Sequence, residues 1–252
     1  MNYLVGDIGN TLTKICIVHK NFKIFKEYSI ETKKLLLGKN IYKFILPILK
    51  KKIKKKILFS SVVPNAYSRI KKFINSKNFQ CYEIKSLPLK KIIKINIDSY
   101  NQLGSDRIAN ALGAFNLLRS NCLIVDFGTA TTFDIVKKNG AYEGGVIAPG
   151  LKLSILNLNK STTSLPIFDL KPNLKVYGKN TKDALNAGFL WGYQGLINNI
   201  IKKITLKFRI KFKIILTGGY AEIFAKFINN KTTIDKHITI KGIMFIYKNL
   251  IK

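Results

Sequence analysis

One short pattern occurs twice in this chain, and it limits the folds open to it. Near the start it reads Leu4-Val5-Gly6-Asp7-Ile8-Gly9-Asn10-Thr11; near the middle it reads Ile124-Val125-Asp126-Phe127-Gly128-Thr129-Ala130-Thr131-Thr132. Each copy is an apolar run ending in Asp, one apolar residue, a Gly, then small hydroxyl or amide residues. A second apolar strand follows each, at residues 15–18 and 134–136. The two aspartates stand almost half of the 252-residue chain apart. One Asp-x-Gly-x-Thr read alone is an ordinary hairpin with a glycine turn. Repetition at half-chain spacing argues instead for two related domains facing one phosphate-bearing ligand. A glycine turn lets backbone N–H groups approach an anion closely, and Asn or Thr side chains add donors. An Asp at the strand end cannot bind phosphate itself, but it can hold a Mg²⁺ ion, or its water, that bridges phosphate oxygens.

Composition sets the outer bounds. A chain of 252 residues with 47% hydrophobic content builds real cores and is not disordered as a whole. No apolar run approaches the roughly 18 residues of a membrane span. Residues 1–4 lead straight towards the charged Asp7, so no signal peptide is expected. Cys16, Cys81 and Cys122 have no CxxC spacing, which fits a reducing cytoplasm. Two scattered histidines, His19 and His237, offer no structural zinc set. The net charge of +31 is the largest departure from an average chain. Its lysines spread over nearly every segment, and even the densest run, residues 50–56, reads as a helix end leading into a strand. No nucleic-acid motif accompanies it, so specific nucleic-acid binding is not expected, whereas long-range attraction of anionic substrates is.

Periodicity gives strands at 3–8, 12–19 and 22–29, a helix over 31–52 disturbed by Pro47, a buried strand at 57–63, a helix at 65–75 and a strand at 79–84. Three strands followed by alternating helix and strand is the order of an RNase H-like domain. Residues 85–103 are irregular, and Ser105 opens a helix. Strands return at 122–127, 130–137 and 141–147, followed by a helix at 151–158. A long helix begins at Thr181, a strand covers 212–216, and the chain ends on a helix around 243–251. The expected domains are 1–115 and 116–252.

Gly104-Ser105-Asp106-Arg107 sits at a helix start. Read alone, Ser105 is an N-cap and Asp106 complements the helix dipole. Arg107 does not fit that reading, because a cation in the first turn is unfavourable. An adjacent acid and cation suit a small substrate with a hydroxyl and an anionic end. Asp106 would take the hydroxyl proton and Arg107 would pair a carboxylate. The glycine-flanked segment 144–150 is either a tight turn or backbone kept bare for a ligand. Thr217-Gly218-Gly219, after a buried strand, suits a sugar or phosphate. Gly188, Gly192 and Gly195 share a helix face and imply close helix packing.

Together these motifs resemble the type III pantothenate kinases, within the superfamily of acetate and sugar kinases, heat-shock chaperone ATPases and actin. The matching pieces are residues 7–14, 104–107, 126–132, 144–150, Thr181 and 217–219, which span nearly the whole chain. The resemblance implies an α/β protein of two RNase H-like domains, an actin-like ATPase duplication with the active site in the cleft between them. It implies a homodimer that phosphorylates pantothenate with Mg-ATP, towards coenzyme A, and needs a monovalent cation, K⁺ or NH₄⁺. By the same resemblance Asp7, Ile8, Gly9, Asn10, Thr11, Leu12, Thr13 and Lys14 bind ATP phosphates, and Thr129 contacts ATP. Asp106 is the proton acceptor, while Gly104, Ser105, Asp106, Arg107 and Thr181 touch pantothenate. Asp126 holds the monovalent cation. The chain departs from the family at one position: the Tyr usually found seven residues before the first Gly of Gly-x-Asp-Arg is Ile97 here, with Tyr100 out of register. A sugar or carboxylate kinase, and a transcription accessory factor without catalysis, are the competing readings.

Overall fold

The computed structural model describes residues 2–21, 23–37, 39–173 and 175–251, and among these the strands form two five-stranded sheets. The first holds β1 (Asn2–Ile8), β2 (Leu12–Val18), β3 (Ile24–Glu31), β4 (Ile53–Ser61) and β5 (Gln80–Glu83), in the order β3-β2-β1-β4-β5. The second holds β6 (Cys122–Phe127), β7 (Ala130–Val136), β8 (Tyr142–Pro149), β9 (Lys213–Gly218) and β10 (Thr232–Ile234), in the order β8-β7-β6-β9-β10. The orders are the same. Each central strand, β1 or β6, carries the Asp-x-Gly pattern, with an antiparallel partner on one side and a parallel one on the other.

Parallel neighbours need crossovers, and helices supply them. Helices α1 (Thr32–Leu35) and α2 (Lys39–Leu49) precede β4; α3 (Pro64–Asn75) precedes β5. Pro64 sits in the first turn of α3, where its missing N–H is not needed. Helix α4 (Ser105–Leu118) ends the first half; α5 (Leu151–Lys160), α6 (Thr181–Phe208), α7 (Ala221–Phe224) and α8 (Ile238–Leu250) follow. Asn180 caps α6, its side chain accepting the Asp183 N–H at 2.9 Å. The central strands are apolar rather than alternating because both faces are covered: Leu4, Val5, Leu58 and Phe59 are fully buried, as are Leu123, Ile124 and Val125. Burying each such side chain stabilises the fold by about 1.5–3 kcal/mol.

The chain groups into two compact units. One takes the residues up to Arg119, Gly140–Glu143 and everything from His237 onward; the other takes Ser120–Asn139 and Gly144–Lys236. This grouping differs from a single cut at 115/116 because α8 packs against α4. A Cβ on Gly242 would collide with the Ala109 carbonyl, and one on Gly113 with the Ile238 carbonyl. Thr239 Oγ1 donates to Asn110 Oδ1 at 2.7 Å across the same contact. Chain order carries no signal for this return.

The single helix expected over 31–52 divides. Strand β3 stays zipped to β2 as far as the Leu12–Glu31 pair, so Glu31 remains extended and α1 starts after it. Residue 38 and the expected strand start at residue 22 lie outside the described residues. Strand β4 begins at Ile53 rather than 57 because its lysines find partners. Lys54 Nζ lies 4.7 Å from the Tyr3 ring centroid, Lys55 Nζ 4.3 Å from that of Phe79, and Lys56 Nζ donates to the Ile251 carbonyl at 3.0 Å. The last helix starts at Ile238 instead of 243, and β10 has no counterpart among the expected strands.

Candidate active site

In the first unit the β1–β2 turn presents Asn10 and Thr11 to solvent, behind a half-buried Asp7. Gly9 N–H closes the turn on the Leu12 carbonyl at 3.1 Å. Thr32, buried at the start of α1, braces it. Its hydroxyl donates to the Gly9 carbonyl at 2.6 Å, and its N–H donates to the Thr11 carbonyl at 2.9 Å. A hydroxyl has one proton, so in the 2.9 Å contact between Thr13 and Thr32 Oγ1 atoms Thr13 is the donor. Three of the residues expected to bind ATP phosphates, Gly9, Thr11 and Thr13, are thereby fixed by one threonine that sequence reasoning missed. Lys14 Nζ stands 3.9 Å from Glu27 Oε1.

The Gly104-Ser105-Asp106-Arg107 start of α4 corrects one local reading. Gly104, not Ser105, is the N-cap, and no side chain caps the helix. The Ser105 hydroxyl instead donates to Glu83 Oε1 at 2.5 Å, and a carboxylate is the stronger acceptor. Asp106 Oδ1 accepts the Arg107 backbone N–H at 2.8 Å. The carboxylate folds over Gly104 so closely that a Cβ there would collide with Oδ1. Burial lifts the Asp106 pKa above its ordinary value; the Arg107 N–H and the Arg107 charge oppose it in part. A carboxylate raised in this way is a better base near neutral pH.

The phosphate-type turn and Gly104 share a neighbour. The Val62 N–H donates to the Ile8 carbonyl at 3.1 Å, and Val62 Cγ1 lies 3.5 Å from the Cβ position of Gly104. Val62 follows β4, parallel to β1, so both elements gather at the carboxyl ends of adjacent parallel strands, where such sheets bind ligands.

In the second unit three glycine motifs distant in sequence meet at one turn. Asp126 is half-buried near the end of β6, and Gly128 and Thr129 are exposed at the tip. Gly128 N–H closes the turn on the Ala130 carbonyl at 3.1 Å. A Cβ on Gly150 would collide with the Thr129 carbonyl, so the end of the 144–150 segment packs directly on the backbone of the turn. Asp126 is the register partner of Thr217, and Gly219 N–H donates to the Phe127 carbonyl at 3.1 Å. Gly218, at φ +85°, lies against the backbone of Phe127 and needs to be glycine on both counts. Thr181 is placed elsewhere in this unit, on an apolar groove of about 550 Å³ lined also by Leu158, Leu165, Leu185, Gly188 and Gly192. Among the described residues nothing lies within 4 Å of a Cβ on Gly188, Gly192 or Gly195, so their open face is not filled by this chain.

No group of three or more His, Cys, Asp or Glu side chains gathers among the described residues. Mg²⁺ needs no such cage, because it keeps waters and binds through one or two carboxylates together with substrate phosphates. Asp7 fits that role, and the oxygen chemistry of Asp126 suits a hard monovalent cation. No helix of the described residues is long and apolar enough to cross a membrane.

Two sheets of one strand order, each with an Asp-Gly turn on its central strand, define the duplicated fold of actin-like ATPases and sugar kinases. A Sinorhizobium meliloti protein described as a proposed 2-dehydro-3-deoxygalactonokinase matches with a TM-score of 0.62 at 10% identity, covering 98% of this chain and 96% of its own. A Campylobacter jejuni protein described as a proposed Baf family transcriptional activator matches with a TM-score of 0.60 at 23% identity, covering 97% of both. At these identities the likeness is one of fold. Sequence goes further. Residues 3–203 match the family model for type III pantothenate kinases. The type III pantothenate kinase of Pelagibacter ubique is 46% identical over 250 residues, 96% of each chain. The chain belongs to the type III pantothenate kinase family.

Proposed function

We propose that this chain transfers the γ-phosphoryl group of ATP to the primary hydroxyl of pantothenate, the first step of coenzyme A biosynthesis. Family membership gives the reaction. The observation that carries the residue assignment is the carboxylate of Asp106, raised by burial and folded over Gly104, whose Cβ position meets the same Val62 that bonds the Asp7 turn. Asp106 orients the hydroxyl and accepts its proton as the oxygen attacks the γ-phosphorus in line. The bond to the β–γ bridging oxygen breaks and ADP leaves. Such transfer depends on positioning and charge neutralisation.

Residues 7–14 hold the ATP phosphates, with the backbone N–H groups and the Asn10 and Thr11 side chains as donors and Lys14 as the cation. Mg²⁺ held at Asp7 would neutralise phosphate charge. Asp126 would hold K⁺ or NH₄⁺, and the exposed Thr129 would contact ATP. Gly104 and Arg107 touch pantothenate, Arg107 pairing its carboxylate; Ser105, 1% exposed with its hydroxyl on Glu83, offers only its backbone. The open glycine face of α6 supports a homodimer, and the scattered lysines support substrate attraction in the cytoplasm rather than specific nucleic-acid binding.

The test is ADP release from Mg-ATP with and without pantothenate, in K⁺ and then Na⁺ buffer. Release that requires pantothenate and K⁺ is expected; folded protein that releases none overturns the reading. Asp106→Asn keeps an acceptor for the Arg107 N–H, so it folds and binds substrate but loses about 10²–10⁴-fold in turnover. Normal turnover would reduce Asp106 to a helix-start carboxylate.

A further inference from the structure

Glu83 ends β5 half-buried, and both of its carboxylate oxygens are engaged. Oε1 accepts the Ser105 hydroxyl at 2.5 Å, and Oε2 accepts the Lys85 backbone N–H at 2.6 Å. The residues just after it tie the same region down. The Ser86 hydroxyl donates to the Glu83 carbonyl at 2.6 Å, and Lys85 Nζ donates to the Asn101 carbonyl at 2.9 Å. The 83–86 turn therefore grips the chain on both sides of Leu103 and Gly104, at residues 101 and 105.

Helix α4 needs such a grip. It has no side-chain cap, and its N-cap is a glycine, which leaves the first turn without local fixation. Ser105 is 1% exposed, so without Glu83 its hydroxyl would be buried and without this acceptor. Asp106 is the next residue and shares the backbone of that turn. Burial penalises the charged form of Glu83, and its hydrogen bonds with Ser105 and the Lys85 and Ser61 backbones only partly offset this. A carboxylate held at such a penalty beside a reactive group is the pattern expected of a functional site.

We propose that Glu83 is a positioning residue for phosphoryl transfer: through Ser105 it fixes the first turn of α4 and hence the direction in which Asp106 presents its carboxylate. The inference rests on Asp106 being the base. It assigns Glu83 no contact with substrate. A cap that merely stabilised the helix would act on folding and leave the chemistry of the folded molecules alone.

The experiment compares kcat and KM for the full chain, Glu83→Gln, Ser105→Ala, Asp106→Asn and the double variant of Glu83→Gln with Asp106→Asn. Glu83→Gln is expected to lower kcat about 10–100-fold, as a displaced base does, with KM for ATP changed less than about twofold. Ser105→Ala should move kcat in the same direction, and it carries the test if Glu83→Gln does not fold. In the Asp106→Asn background Glu83→Gln should add nothing further, because the group it positions is already gone. Equal fold-losses in both backgrounds would overturn the inference by showing a purely structural role, and so would wild-type kcat in Glu83→Gln and Ser105→Ala. Those results leave the kinase reading intact. An unmodified chain that shows no pantothenate-dependent turnover overturns both.

Discussion

Gly104→Ala separates stability from catalysis. Gly104 has φ −64° and ψ 140°, values that alanine adopts without strain. Alanine is a poorer N-cap than glycine by a few tenths to about 1 kcal/mol. It also restricts the unfolded chain, which returns about 0.4–1 kcal/mol. The two nearly cancel, so Tm should move by less than about 3 °C for a chain of this size. Catalysis meets a different problem. The new Cβ would collide with Asp106 Oδ1, while its contact with Val62 Cγ1 at 3.5 Å is ordinary. The oxygen must retreat by about 1 Å to reach normal van der Waals distance. Being the end of a flexible side chain it can do so at little steric cost, though its bond from the Arg107 N–H must loosen, and the base then leaves its position. A misplacement of that size lowers turnover about 10–100-fold, or about 1.4–2.7 kcal/mol in the barrier. Thermal melts and steady-state ADP release, run on the same preparation, make the measurement. Turnover within about twofold of the unsubstituted chain, with an unchanged melt, would refute the reasoning, because the observed position of Asp106 would then not be its working one.

Two further outcomes follow from the same contacts. Gly242→Ala gains about 1 kcal/mol of helix propensity but drives a Cβ into the Ala109 carbonyl, which is backbone and cannot yield. Overpacking of this kind costs about 1–3 kcal/mol, and a neighbour that cannot yield puts it at the upper end, so a net loss of about 2 kcal/mol is expected in urea unfolding, and an unchanged midpoint would refute the α4–α8 contact. The raised pKa of Asp106 moves the acid limb of kcat/KM upward from that of an unperturbed aspartate, and Asp106→Asn should abolish that limb. Its sign for stability is the opposite of a salt-bridged acid. The folded state binds this proton more tightly than the unfolded one, so stability falls as pH rises between the two pKa values. Asp106→Asn should therefore be relatively more stable above the folded pKa, with the advantage vanishing below the unfolded one.

The central strands and the helices between them were legible because their signals are local. An apolar run such as Ile57-Leu58-Phe59 has nowhere to go but a doubly covered strand, and Pro64 marks the helix after it. Failures came where a distant partner decided. Glu31 reads as helical by spacing, but pairing with Leu12 holds it in β3. Lys54 and Lys55 read as the passage from a helix end to a strand starting at 57, but the rings of Tyr3 and Phe79 accept them within the strand. Helix α8 was visible as a helix, but its place on α4 depends on Gly113 and Gly242 meeting opposite carbonyls, a match no single segment shows.

The site divides along the same line, and the two copies of the repeated pattern show why. Their sequences announce the turns, since an Asp, a Gly and hydroxyl residues at a strand end are what a phosphate requires. What holds each turn differs. The first is braced by one side chain, Thr32, whose hydroxyl and N–H reach residues 9, 11 and 13. The second is braced by bare backbone, Gly150 against Thr129 and Gly218 against Phe127. A glycine brace leaves a mark in the sequence, because two adjacent glycines after a buried strand invite a reason. A threonine at the start of a short helix leaves none, and neither does a glutamate at the end of β5. Thr32 and Glu83 became visible only through the bonds they make. A motif shows which groups face the ligand, whereas the groups that aim them are chosen by the fold. The second kind is where substitutions can alter turnover while leaving every motif residue in place.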